Sequence, residues 1–150
     1  MNIWVDADAC PVKFEVLEVA KRFQKKPIFV SHQSIKSLQS HKRAEFILCE
    51  AGPDSADDHI AQHLVAKDLL VTADLLLSKR ILEKGGKVIN FFGKEVTRNS
   101  IATDLGRKDV HSLADELGIP HRESGGKLSK GNFKGAFHNL VDQLSLADKS

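Results

Sequence analysis

Five short apolar runs, 3–5, 28–30, 46–49, 69–72 and 88–91, alternate with stretches in which apolar residues recur at helical spacing. No other feature narrows the fold as much. Strands with one wet face alternate apolar and polar residues, whereas these runs are continuous, as strands are when helices cover both faces of a parallel sheet. The first helix opens at Pro11, tolerated there because a first-turn N–H is unpaired anyway. It carries Val12, Val16, Val19, Ala20 and Phe23 along one side and is stopped by Pro27. Residues 31–43 read as a polar loop. After the turn signal Gly52-Pro53-Asp54, the stretch SADD (55–58) has the spacing of a capping box with Ser55 as the cap. The helix it opens directs Ile60, Leu64 and Val65 inward, and the next directs Leu77, Ile81 and Leu82 inward before Gly85-Gly86 closes it. Further helices are expected over 99–105 and 110–117. A loop, ESGGKLSKGN, then leads to a last amphipathic helix bearing Phe133, Phe137, Leu140, Val141 and Leu144.

At 150 residues the chain suits one domain with its own core. No apolar stretch nears the roughly 20 residues that a membrane helix needs. The N-terminus has neither the basic start nor the small-residue cleavage site of an export signal. Cys10 and Cys49 stand alone, without C-x-x-C spacing. A cytoplasmic protein without disulfides or structural zinc is therefore expected. Net charge is only +2, but residues 1–75 hold 9 Lys+Arg against 11 Asp+Glu and residues 76–150 hold 13 against 9. A basic surface beside an acidic site suits a polyanion held through its phosphates.

The acids point to chemistry. In parallel sheets ligands bind beyond the carboxyl ends of the strands. Asp6 and Asp8 follow the first run and Asp74 follows LLVTA, while Asp57 and Asp58 open a helix leading to the same rim. Gathered carboxylates oppose each other's ionisation, and a hard divalent cation relieves this. Any one of these acids is more readily structural than catalytic, with Asp8 capping the first helix, Asp57 and Asp58 complementing a helix dipole, and Thr72 and Asp74 doing the same for the following helix.

The stretches DADACPVK, AGPDSADDHI and LLVTADLLL resemble, in order and spacing, the YaiI/YqxD family of bacterial proteins, distantly related to the PIN-domain superfamily of metal-dependent ribonucleases. The resemblance runs from Asn2 into the last helix. It implies a three-layer α/β/α PIN-like fold over 1–150, a Mg²⁺ or Mn²⁺ site, and hydrolysis of phosphodiesters in RNA. Asp6 matches the first-strand acid of PIN nucleases, Asp57 their mid-chain acid and Asp74 the acid of their T-x-D motif. These three would be metal ligands and catalytic residues, with Asp8 and Asp58 in support and Thr72 orienting Asp74. Two departures stand out. Relatives carry Asn-Pro-Arg-Gly where this chain reads Asn90-Phe91-Phe92-Gly93, and Leu75-Leu76-Leu77-Ser78 supplies no further acid after Asp74. Both leave room for a non-catalytic nucleic-acid or protein-binding module built on the same fold.

Other motifs are weaker. Asp6-Ala7-Asp8 also resembles the D-x-D of dehalogenase-like phosphatases, but Cys10 stands where those enzymes have a small hydroxyl residue. His59 and His63 have zinc-ligand spacing without the glutamate of a metalloprotease. Cys10, ahead of a helix, could have a lowered pKa, but no resolving cysteine is near and a small buried packing residue is the more usual role. Lys79, Arg80, Lys127 and Lys130 are the candidate contacts to nucleic acid. Few aromatics fall outside expected core positions, so base stacking finds little support.

Overall fold

The computed structural model describes residues 1–8, 10–52, 54–102 and 128–149. Each apolar run becomes a strand: β1 (Ile3–Asp6), β2 (Ile28–Ser31), β3 (Glu45–Leu48), β4 (Leu69–Val71) and β5 (Lys87–Ile89). They alternate with α1 (Lys13–Arg22), α2 (Lys36–Gln39), α3 (Ser55–His63) and α4 (Leu75–Glu83). After β5 come β6 (Glu95–Val96) and, at the end of the chain, α5 (Lys130–Lys149). The six strands form one sheet in the order β3-β2-β1-β4-β5-β6, parallel throughout except for the antiparallel edge strand β6.

Side chains alternate across a strand, so each strand feeds two cores. Ile3, Val5, Phe29, Leu69 and Val71 pack under α1 and α5, against Val16, Val19, Phe133, Phe137 and Val141. Trp4, Val30, Leu70 and Val88 pack on the other face against Ile60, Leu64, Leu77 and Ile81 of the α3–α4 layer. This is a three-layer α/β/α arrangement. The strand order turns outward in both directions from β1 and β4, which makes their shared carboxyl edge a topological switch point, the usual ligand position in such sheets.

Several local expectations are corrected. The loop over 31–43 contains α2, a single turn held by the fully buried Leu38. The capping box does not form. Asp54 takes the N-cap position of α3, and the Ser55 hydroxyl turns back to the carbonyls of Cys49 (2.8 Å) and Gly52 (2.5 Å). Helix α3 ends at His63, and Leu64 is extended, so Leu64 stays buried while Val65 turns out to 58% exposure. The Gly85 turn does form, with φ +87°. The last helix begins at Lys130, inside the stretch expected to be loop. Helix is described over 98–102, and the remainder of the expected helices at 99–105 and 110–117 lies outside the described residues.

Candidate functional site

Asp6 is the last residue of β1 and shares a face with Trp4, so its side chain points toward the α3–α4 layer. It is 8% exposed. Thr72, buried just past β4, donates its hydroxyl to Asp6 Oδ2 at 2.9 Å and accepts the Asp74 N–H on the same oxygen at 3.1 Å. Asp74 in turn N-caps α4, its Oδ1 accepting the Leu77 N–H at 3.0 Å. One hydroxyl thereby couples the ends of two central strands.

The electrostatics follow from this crowding. Burial pushes the Asp6 carboxyl up to about 6, against the Thr72 hydrogen bond and with help from the charges of Asp8 and Asp74. Asp57, in the first turn of α3, is pushed up to about 7 by burial and then by the charges of Asp6, Asp74 and Asp54; it also shares a side-chain hydrogen bond with Asp74. Asp6, Asp57 and Asp74 therefore repel one another across the switch point, as carboxylates in one site do.

Asp8 and Asp58 sit differently. Asp8 does not cap α1, whose N-cap is Val12 with no side-chain hydrogen bond. Its carboxylate instead accepts the Ser31 hydroxyl (2.5 Å) and the His32 N–H (3.1 Å), with His32 Nδ1 2.8 Å away. Burial acts to raise its pKa, but the bonds from Ser31 and His32 outweigh that and hold it below the ordinary value. Asp58 points outward to an exposed pair with Arg80, 3.0 Å apart. Arg80 is thus engaged on the surface, while exposed Lys79 borders a cavity of about 310 Å³ with Glu83 and Arg98. Lys130 is exposed at the start of α5, and Lys127 lies outside the described residues. Among the described residues, no group of three or more His, Cys, Asp or Glu side chains is gathered tightly enough to hold a metal ion as it stands.

The sequence reading missed Ser31, His32 and Asp54. Ser31 and His32 follow an apolar run at the same rim, a placement that could have marked them. Cys10 is a buried packing residue, and burial pushes its thiol up to about 11, so it is no activated nucleophile. Among the described residues few aromatics lie outside the core, Phe14 and Phe92 being 60% and 43% exposed. His59 and His63 stack with ring centroids 4.1 Å apart, and His63 Nδ1 sits 2.9 Å from the His59 carbonyl.

Comparison with known proteins places this rim in context. The model of a family described as "Uncharacterized BCR, YaiI/YqxD family" matches residues 4–143. A UPF0178 protein of Pseudoalteromonas atlantica is 37% identical over 147 residues, covering 96% of this chain and 97% of the relative. One from Rhodospirillum rubrum is 36% identical over 129 residues, covering 86% and 84%. A third, from Janthinobacterium, is 34% identical and spans 100% of this chain and 99% of its own length. No solved structure matches. With the family model and full-length relatives in agreement, the chain belongs to the YaiI/YqxD family.

Proposed function

We propose that the protein is a metal-dependent nuclease that hydrolyses phosphodiester bonds in RNA, with Asp6, Asp57 and Asp74 as the residues that hold Mg²⁺ or Mn²⁺. The observation that carries this is the meeting of Asp6, Asp57 and Asp74 at the switch point, where Thr72 links Asp6 to Asp74 and the crowding pushes Asp6 and Asp57 upward. Three acids are held where their charges disfavour one another, and a hard cation would offset the cost with the oxygen donors it prefers. When bound, such an ion would activate a water and neutralise charge on the phosphate. The chain's own part is positioning. Thr72 fixes the Asp6 carboxyl group, and the Leu77 N–H fixes that of Asp74. The resemblance to PIN-domain nucleases supports the same three positions.

Calorimetric titration with Mn²⁺ and Mg²⁺, alone and with RNA present, tests this. Saturable binding is expected in the wild type and lost in Asp6→Asn and Asp74→Asn, with RNA cleavage lost in parallel. Affinity should rise with pH through about 7, because the ligands must shed protons to bind. Absence of metal binding even with RNA present would remove the nuclease assignment.

One observation favours a second reading, a binding module without turnover: the absence of a tight three-residue donor cluster among the described residues. RNA binding that persists in Asp6→Asn, with no cleavage by the wild type, would select it. The phosphatase alternative is weakened by Asp8, whose oxygens are occupied by Ser31 and His32 instead of being free for acid–base work.

A further inference from the structure

At the opposite, amino end of the sheet, a concavity of about 390 Å³ is lined by Lys21, Gln24, Lys25, Lys26, Lys42 and Arg43. Five of the six are cations, and none is an acid. Two loops build it. The first leaves α1 through Gln24, whose φ of +56° belongs to a left-handed turn closed by bonds from the Gln24 N–H to Lys21 O and from the Lys25 N–H to Ala20 O, each about 3 Å. The second, over 41–44, precedes β3 and is tied to the first by the Glu45 N–H on Pro27 O at 2.9 Å. Lys25 is anchored with its ammonium on Met1 O at 2.9 Å, while Lys21, Lys26, Lys42 and Arg43 are exposed.

The negative end of α1 accounts for part of this charge. A helix terminus carries only about half an elementary charge, far short of five cations. Glu45 is the adjacent acid, exposed at the start of β3 and outside the lining. Among the described residues, most of this positive charge is therefore uncompensated.

We infer that this groove is a binding site for the phosphate backbone of a nucleic acid, separate from the acidic rim. Lys21, Lys26 and Lys42 are exposed point charges on long stems without fixed geometry, which suits a run of phosphates held by counterion release better than one bound anion. No exposed large apolar side chain lines the concavity, as a surface that inserts into a bilayer would need. Four-residue strands set the groove on the order of 13 Å or more from Asp6, so its ligand is a polymer when both ends are engaged. The inference shares a nucleic-acid ligand with the proposed function, but it does not depend on hydrolysis.

The test is anisotropy of a fluorescent single-stranded RNA in EDTA, using Asp6→Asn as the parent so that neither metal nor turnover enters. Affinity is measured across a salt series for the parent, for Lys42→Gln/Arg43→Gln and for Lys21→Gln/Lys26→Gln. All four side chains are exposed, and a thermal melt checks that folding is unchanged. Each pair should weaken binding several-fold and lower the slope of log K against log salt by about 1.4, at about 0.7 per lost single-strand contact. Unchanged slope and affinity in both pairs would overturn the site. So would unaltered RNA binding combined with lost co-sedimentation on anionic phospholipid vesicles, which would assign the groove to a membrane. Failure of metal-dependent cleavage with these slopes intact would sink the nuclease assignment alone.

Discussion

Replacing Asp6 with asparagine should make the protein more stable at neutral pH. The folded carboxyl titrates at about 6 against an ordinary value of 3.8, because burial and the neighbouring acids disfavour its charge. The folded state therefore holds a proton that the unfolded state has released between those values. Stability is full below about pH 4 and is lost as pH rises through 6. A shift of about 2 pKa units is worth about 3 kcal/mol at 1.36 kcal/mol per unit. Asparagine removes that cost and keeps an oxygen to accept the Thr72 hydroxyl. Relief of Asp57 adds to the gain, but that residue is only half-buried and solvent screens its share. The expected gain at pH 8 in EDTA is about 3 kcal/mol, or roughly 6–12 °C in Tm for a chain of this size. Thermal melts of both proteins from pH 4 to 8 provide the measurement. The curves should meet near pH 4 and separate through pH 6. A variant less stable than wild type at pH 8, or a difference that does not change with pH, would refute the electrostatic account of the site.

Other substitutions separate structural from site roles. Asp68 is buried and accepts the N–H groups of Asn2, Val65 and the Trp4 indole at 2.9–3.1 Å, so Asp68→Ala should cost about 3 kcal/mol or more by stranding these donors, read by urea unfolding. Thr72→Val removes the donor to Asp6 and the acceptor for the Asp74 N–H. It should destabilise by about 1–3 kcal/mol and move the Asp6 titration, followed by carboxyl carbon NMR, further upward. Gln24 occupies a left-handed position that glycine adopts without steric cost. Gln24→Gly should therefore stabilise by up to about 1 kcal/mol, while an alanine there gains nothing.

Strands β1 to β5 were legible because each is a continuous apolar run, and a parallel sheet buried on both faces demands that pattern. β6 was not, since Glu95-Val96 has no run to see and pairs antiparallel only because β5 is already in place. Helix α2 was equally hidden, as three of its four residues are polar and the turn is held by the buried Leu38 alone. At the rim, Asp6, Asp57 and Asp74 could be marked from their positions relative to strand and helix ends. What Asp8 and Asp58 do could not. The partners of Asp8 come from the end of β2, brought alongside by the parallel register that pairs Asp6 with Val30, and Asp58 pairs with Arg80 across α3 and α4. The amino-end groove was least visible, because counting charges by halves assigned its lysines to the acidic part of the chain.

The placement of charge along the sheet inverts what the backbone alone would offer. Each helix that follows a parallel strand starts at the carboxyl rim, where its exposed N–H groups favour anionic ligands. At α4 that place is taken by Asp74, bonded to the Leu77 N–H, and the first turn of α3 carries Asp57 and Asp58. The chain fills its own anion positions with carboxylates and adds Asp6 from the strand between them, so the rim gathers acidic groups where helix dipoles alone would favour anions. At the other end, the negative terminus of α1 is over-compensated by lysines from its own last turn, from the next loop and from the loop before β3. Both ends therefore carry more charge than helix dipoles require, of opposite sign, and stabilising the fold explains neither excess. The phosphodiester polymer proposed above would account for both, its backbone held at the basic end and one phosphate meeting a cation held by the acidic one.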